Sequence, residues 1–186
     1  MIKLKRKPDF IIGGKESPYL LRWWIIPRNK YFNIYLHKFL RDDDDRALHD
    51  HPYHSCSIIL KGGYIEVVPA GKAGERAGVK SKIRKPGMIV FRRATQAHRV
   101  RLFRKPMWYT SRNMEQVIPA WSLFITGPRV RDWGFWCEGV RWIHWERFTS
   151  PAFVKPLTDK NETLFAIGET EDGQKFKQFF TTQKPE

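Results

Sequence analysis

Short apolar runs, most of them no longer than a strand, alternate along this chain with glycine, proline and charged clusters. Residues 31–40, Tyr-Phe-Asn-Ile-Tyr-Leu-His-Lys-Phe-Leu, are rich in strand formers, and the acidic run 42–45 closes them as a solvated turn. Residues 49–61 end in the apolar Ile58-Ile59-Leu60, and Gly62-Gly63 then reads as a hairpin turn with 64–68 as its return strand. Gly71, Gly74 and Gly78 among lysines mark 69–82 as a mobile surface loop. After the Pro86-Gly87 turn, further strands are expected at 88–91, 96–103 and 120–126. Gly127-Pro128 breaks the chain before two aromatic stretches, 132–136 and 140–148. Beyond Thr149 the apolar periodicity fades, and 168–186 is polar. A helix is expected only near the start, where Ser17-Pro18 precedes the aromatic segment 19–26 and Pro27 stops it. The pattern predicts an all-β barrel or sandwich. It divides one domain, 1–186, into a basic arm with a short helix (1–30), a barrel (31–148) and a C-terminal extension (149–186).

Composition narrows the class. A chain of 186 residues suffices for one well-buried core, and its eight tryptophans suit a core or a pocket wall. No apolar run is long enough to span a bilayer. The basic start, Met1 to Lys7, lacks the apolar segment of a signal peptide, so a cytoplasmic location is expected. Cys56 and Cys137 are far apart and fit neither a disulfide framework nor a zinc-ribbon spacing. Thirty-four basic residues against nineteen acidic ones leave a net charge of +15. Such a field draws in small anions or polyanions, so weak non-specific nucleic-acid binding through the arm and the lysine-rich loop is one expectation.

The histidines carry the chemistry. In Leu48-His49-Asp50-His51-Pro52, side chains two apart on an extended segment point to one face, so His49 and His51 share a side while Asp50 points away. His98 lies on a later strand on one face with Val100 and Leu102, while Arg99 and Arg101 share the other. An apolar face that carries one histidine is an inward face. His98 by itself could be a core histidine bonded to a carbonyl. With His49 and His51 it makes a transition-metal site of imidazoles, and metal ligation by the three is the expectation.

These residues resemble the cupin superfamily. His49-x-His51 followed by Gly62 matches its first motif, and Pro86-Gly87 followed by Ala94-Thr-Gln-Ala-His98 is similar to its second. The stretch 48–53, with Trp133-Gly-Phe-Trp136 later, resembles small cupins of bacterial and phage genomes. The resemblance implies an antiparallel double-stranded β-helix, or jelly-roll barrel, with a divalent metal in its lumen held by His49, His51 and His98. It leaves a homodimer open as the assembly. The first cupin motif normally adds a glutamate, and here that position is Ser55 or Cys56. The resulting three-histidine set resembles thiol dioxygenases and some ring-cleaving dioxygenases. Fe(II) is the preferred ion, with Mn, Ni or Zn as alternatives, and a small anionic substrate would chelate the open positions.

Three further residues are candidates for a part in the reaction. Cys56 is either a soft fourth ligand or a small buried hydrophobe. His37 and Tyr35 share a strand face with Phe39, either as proton-transfer groups or as a packed aromatic face. His54 is out of phase and expected outside, His144 is expected to be structural, and the Trp-rich segment is expected to pack against the barrel. Three functions remain open: a metal-dependent dioxygenase, a non-catalytic metal-binding module associated with nucleic acid or regulation, and a sugar-nucleotide epimerase or isomerase on the same barrel.

Overall fold

A computed structural model describes residues 6–14, 16–43, 47–70, 78–106, 115–137, 142–150, 164–169 and 175–180. The strands in chain order begin with β1 (Phe10–Ile12), β2 (Leu20–Trp24), β3 (Asn33–Phe39), β4 (Ala47–His49) and β5 (Ser55–Lys61). Next come β6 (Tyr64–Pro69), β7 (Val79–Arg84), β8 (Ile89–Arg92), β9 (Arg99–Leu102), β10 (Arg104–Pro106) and β11 (Glu115–Val117). The chain continues through β12 (Ala120–Thr126), β13 (Gly134–Cys137), β14 (Trp142–His144), the helix α1 (Trp145–Phe148), β15 (Leu164–Glu169) and β16 (Lys175–Phe180).

Strand β12 organises the first layer. Its alternate residues face the interior, and it pairs antiparallel with β3 on one side and β5 on the other. The sheet so built has six strands in the order β1-β2-β3-β12-β5-β8. The opposite side of the molecule holds two three-stranded sheets, β7-β6-β9 and β14-β13-β4. One antiparallel bridge, His49 with His98, joins them through N–H···O bonds of 2.9 Å in both directions. The second layer therefore runs β14-β13-β4-β9-β6-β7. The result is an antiparallel two-layer β fold of the kind that the cupin resemblance implies.

Ile59, Tyr64, Val100, Leu102 and Ala120 form a buried apolar cluster between the layers, with Phe39 packed against it. Trp23 stacks on Trp121 at 5.6 Å and, with Leu36, seals the outer face of the first layer. A third cluster, Ala47, Phe135, Cys137, Ile143 and Phe148, backs the strand that carries His49. Burying aromatic and branched side chains on this scale is the main favourable term in forming the layers.

Several expectations need correction. Residues 17–24 form no helix: Leu20–Trp24 is a strand, and β1 and β2 extend the first layer. Its large aromatic side chains fit a pleated, half-buried surface, and pairing with β3 overrides the Ser-Pro helix signal. Gly62-Gly63 closes no paired hairpin, because β5 and β6 belong to different layers. Both glycines have positive φ, 78° and 86°, and a Cβ on Gly62 would stand 2.3 Å from the Pro119 carbonyl. The pair steers the chain from one layer to the other. Residues 145–148, the end of the second aromatic stretch, are helical and set Phe148 on Phe135 with ring centroids 3.9 Å apart. Part of the polar C-terminal extension pairs as the β15–β16 hairpin. The basic arm up to residue 5 and loop residues 71–77 lie outside the described residues.

Asp50, between the two N-proximal histidines, points away from them as its spacing requires, and it is fully buried. Its Oδ2 accepts from Arg131 at 2.7 Å and from the indoles of Trp136 and Trp142 at 3.0 Å, and its Oδ1 accepts the Gly134 N–H at 2.8 Å. The Trp-rich segment is thereby latched behind the His49–His51 strand. Asp50→Asn turns one acceptor into a donor facing donors. It is expected to lower unfolding stability by roughly 2–3 kcal/mol, read by urea denaturation, without removing the histidines from their layer.

Candidate metal centre

The histidine site follows from strand register. His49 and His98 are a directly opposed hydrogen-bonded pair, and opposed residues project from the same face. His51 lies two positions further on, with its N–H bonded to the Ala94 carbonyl at 3.2 Å. Ring centroids are 4.9 Å apart for His49–His98 and 5.1 Å for the other two pairs. One ring nitrogen from each lies within 4.8 Å of the others, and these three residues could hold a metal ion.

Each outer ring is fixed from behind. His98 Nδ1 stands 3.0 Å from Glu66 Oε1, and His49 Nδ1 stands 3.0 Å from Asp43 Oδ2. A ring whose Nδ1–H donates to a carboxylate carries its lone pair on Nε2, which is the arrangement of a metal-ligating imidazole. His51 Nε2 and His98 Nε2 are 2.9 Å apart. That separation fits a hydrogen bond, and it equally fits two cis donors each about 2.1 Å from one ion. The donor set therefore suits a first-row divalent metal.

Glu66 is the centre of the supporting network. Its side chain is 1% exposed, and it accepts from Arg92 Nε at 2.5 Å, Arg84 Nε at 2.7 Å and His98 Nδ1. Arg92 also donates to Ser57 Oγ at 2.8 Å and to the Tyr64 hydroxyl at 3.2 Å. Burial alone would raise the Glu66 pKa, but the His98 hydrogen bond and the Arg92 charge hold it far below the usual carboxylate range. His98, buried and close to Arg92 and His49, is lowered to about 4 despite its bond to Glu66. His51 is lowered well below 6.5 by burial and by the charges of His49 and His98. His49, half-buried, is partly desolvated too, yet Asp43 outweighs that and raises it. Two of the three rings are thus neutral donors at neutral pH, which favours a cation in their midst.

The remaining candidates divide. Tyr35 and His37 both face the lumen: they stack on each other at 5.9 Å, and His37 lies 5.0 Å from the Phe124 ring, which in turn contacts His51 at 5.9 Å. His37 Nε2 accepts from Arg22 Nε at 2.8 Å. Cys56 lies elsewhere. Neighbouring Ser57 reaches inward to Arg92, so alternation turns Cys56 outward, beside Phe32 and Phe91 in a surface depression. Its thiol is raised by burial, and neither cysteine is in a disulfide. Ser55, not Cys56, has the inward register of the missing glutamate, and its buried Oγ has no hydrogen-bond partner among the described residues. His54 is exposed, as expected, with Nδ1 accepting the Ala94 N–H at 3.2 Å. His144 packs between Trp142 and Trp145.

Sequence reasoning missed Glu66, Asp43 and Arg22. Asp43 lay in an acidic run read as a solvated turn, but it is half-buried and reaches His49. Strand parity could have placed Arg22, since it is two residues from both Leu20 and Trp24.

A buried neutral histidine makes stability pH-dependent. Burial and then the Arg22 charge hold the His37 pKa well below 6.5, so below that value the unfolded chain binds more protons than the folded one. His37 stability is therefore complete above pH 6.5 and declines as pH falls. His37→Gln keeps an acceptor for Arg22 and cannot titrate. The wild type is expected to lose up to about 1.4 kcal/mol per pH unit relative to this variant below pH ~6.5, measured by denaturation at stepped pH. Parallel pH profiles for the two proteins would contradict it.

No family model and no curated protein matches the sequence. Solved structures of similar shape include a cupin superfamily protein from Desulfitobacterium hafniense, with 10% identity over 67% of this chain and 84% of that one, TM-score 0.41. The DMSP lyase DddQ from Ruegeria pomeroyi aligns at 15% identity over 66% of this chain and 54% of its own, TM-score 0.41. FeII HppE aligns at 12% over 68% and 59%, TM-score 0.45. The chain spans little more than half of the latter two proteins, and scores this low transfer nothing about the reaction. The cupin-like character rests on the chain's own strand order and histidine grouping. No helix among the described residues is long and apolar enough to cross a membrane.

Proposed function

We propose that this chain is a metal-dependent cupin-type enzyme, an Fe(II) dioxygenase acting on a small anionic substrate. The observation that carries the reading is the donor set. Three imidazoles converge, while the two nearby carboxylates, Glu66 and Asp43, are occupied by ring Nδ1 atoms rather than aimed at the ion position. Once bound as ligands, three imidazoles bring no negative charge and leave a divalent ion its full charge and about three open positions in octahedral geometry, which suits an anionic chelate. Bound Fe(II) would supply dioxygen activation, and Mn, Ni or Zn fit the same donors. The protein's own residues orient and shield. Glu66 and Asp43 fix two tautomers, Phe124 and Tyr53 wall the site beside His51, and His37 with Tyr35 stands one ring away as a proton-transfer pair.

The test is oxygen uptake by the Fe(II)-reconstituted protein across a panel of small carboxylates and phosphate esters, with His51→Ala as control. Substrate-dependent uptake that the control lacks is expected. Metal retention without uptake on any anion would leave a non-catalytic metal-binding module. A second reading has an observation behind it: the His49–Asp43 pair could serve as a base with a lumen tyrosine as acid, the arrangement of the sugar-nucleotide epimerases. Those enzymes work without a metal at that base, so tight metal binding counts against it.

A further inference from the structure

Arg22 is a lumen-facing cation whose charge no carboxylate among the described residues answers. It sits mid-strand in β2 directly opposite His37, and its Nε donates to His37 Nε2 at 2.8 Å. Its guanidinium carbon lies 4.6 Å over the Tyr35 ring. No described carboxylate pairs with it. The contrast with its neighbours is sharp: Arg84 and Arg92 share Glu66, Arg131 takes Asp50, and Arg104 takes Asp42. A half-buried guanidinium is costly to leave without a counter-ion, because desolvation weakens its hydration without a Coulombic return. Burial indeed depresses the Arg22 pKa.

The groups around it are open as well. The terminal nitrogens of Arg22 and the hydroxyls of Tyr35 and Tyr53 have no hydrogen-bond partner among the described residues. Tyr53 stacks on His51 at 5.8 Å and contacts Phe124 at 6.1 Å. Arg22 is bonded to His37, whose ring lies 5.0 Å from Phe124, and Phe124 lies 5.9 Å from His51, so one ring separates the guanidinium's partner from the histidine site. Four unclaimed N–H donors of a planar fork and two phenols thus gather beside the His37–Phe124–His51 ring contacts.

We propose that Arg22 anchors the oxyanion of an organic substrate, taking its carboxylate or phosphoryl group bidentately with Tyr35 and Tyr53 on either side. The rest of the molecule then lies along the Phe124 wall toward His51. The proposal rests on the reading of this lumen as a substrate site and deepens it: the substrate carries its anionic group at a distance from the metal-chelating end. Arg suits this role because its fork matches two oxygens at once, whereas a lysine offers a point charge.

The experiment titrates benzoate and phenylphosphonate into metal-free and Co(II)-loaded protein, followed by the side-chain Nε–H resonance of Arg22 and by affinity. Both probes, or one of them, should shift that resonance in the metal-free protein, and the pair decides between carboxylate and phosphoryl recognition. Arg22→Gln should weaken binding by about ten-fold or more, Arg22→Lys should recover only part of it, and both variants should keep their Co(II). His51→Ala should lose Co(II) yet still bind the probe in the metal-free state. If wild type fails to retain Co(II) while the Arg22 dependence holds, the metal reading fails and the anchor stands. Binding that is equal in wild type, Arg22→Gln and Arg22→Lys, or no binding to wild type, overturns the anchor whatever the metal result.

Discussion

Removal of the Glu66 carboxylate should be the most destabilising single change in the lumen. Glu66→Ala leaves Arg92, which is 3% exposed, as an uncompensated buried charge, and it strips the acceptor from His98 Nδ1. Breaking a buried pair by deleting one partner costs about 3–5 kcal/mol, much of it the charge left behind. The effect has a predicted pH dependence. The Glu66 pKa is depressed from an ordinary value of 4.5, so its contribution is complete above that pH and is lost as pH falls through the folded value. The gap between wild type and Glu66→Ala should therefore be wide at pH 7 and narrow in acid, as measured by urea denaturation of metal-free protein. Glu66→Gln separates fold from site. It keeps an oxygen for Arg92 and loses the charge that holds the His98 tautomer, so metal affinity should fall about ten- to a hundred-fold with a smaller loss of stability. A Glu66→Ala variant within about 1 kcal/mol of wild type at neutral pH would show that the network is not what supports the site.

The second large effect is on metal content. His51→Ala should lower affinity for Fe(II) or Co(II) by more than about a hundred-fold, since loss of a supporting partner alone is worth ten to a hundred. His51 is the informative choice among the three. His98 is tied to Glu66 and His49 to Asp43, so their removal disturbs carboxylates as well as the ion. His51 is half-buried and its side chain meets rings and His98 Nε2 but no carboxylate among the described residues, so His51→Ala should unfold close to wild type when metal is absent. Competition with a chromophoric chelator gives the affinity, and denaturation of the metal-free proteins gives the comparison. Loss of metal together with several kcal/mol of stability would point to a structural role instead.

Much of this site was legible along the chain because it is local. The His-x-His spacing fixes two imidazoles on one side of an extended segment, and the Val100–Leu102 face identifies the strand that brings the third. The bounds of β12 follow directly from its apolar run between Pro119 and Gly127. Glu66 was not legible, because its place beside His98 depends on pairing between β6 and β9 across more than thirty residues, where Glu66 sits opposite Val100. Asp43 was misjudged for a related reason: a charge run looks solvated unless a bridge made elsewhere buries one member. Asp50 shows both sides. Its direction followed from parity, but its two indole donors come from residues 136 and 142, which no local pattern links to it. The helix expected near Ser17 failed because a local start signal competed with pairing to β3, and the sheet won.

X-ray absorption on the metal-loaded protein tests the central claim most directly, with Fe(II) or Co(II) added under anaerobic conditions and excess removed by dialysis. The account predicts one ion per chain, a first shell of nitrogen and oxygen at roughly 2.0–2.2 Å with the outer-shell scattering of three imidazoles, and no sulfur. In His51→Ala the imidazole signal should vanish with the ion. Wild-type protein that retains no metal, or a shell that contains the Cys56 sulfur, would contradict it.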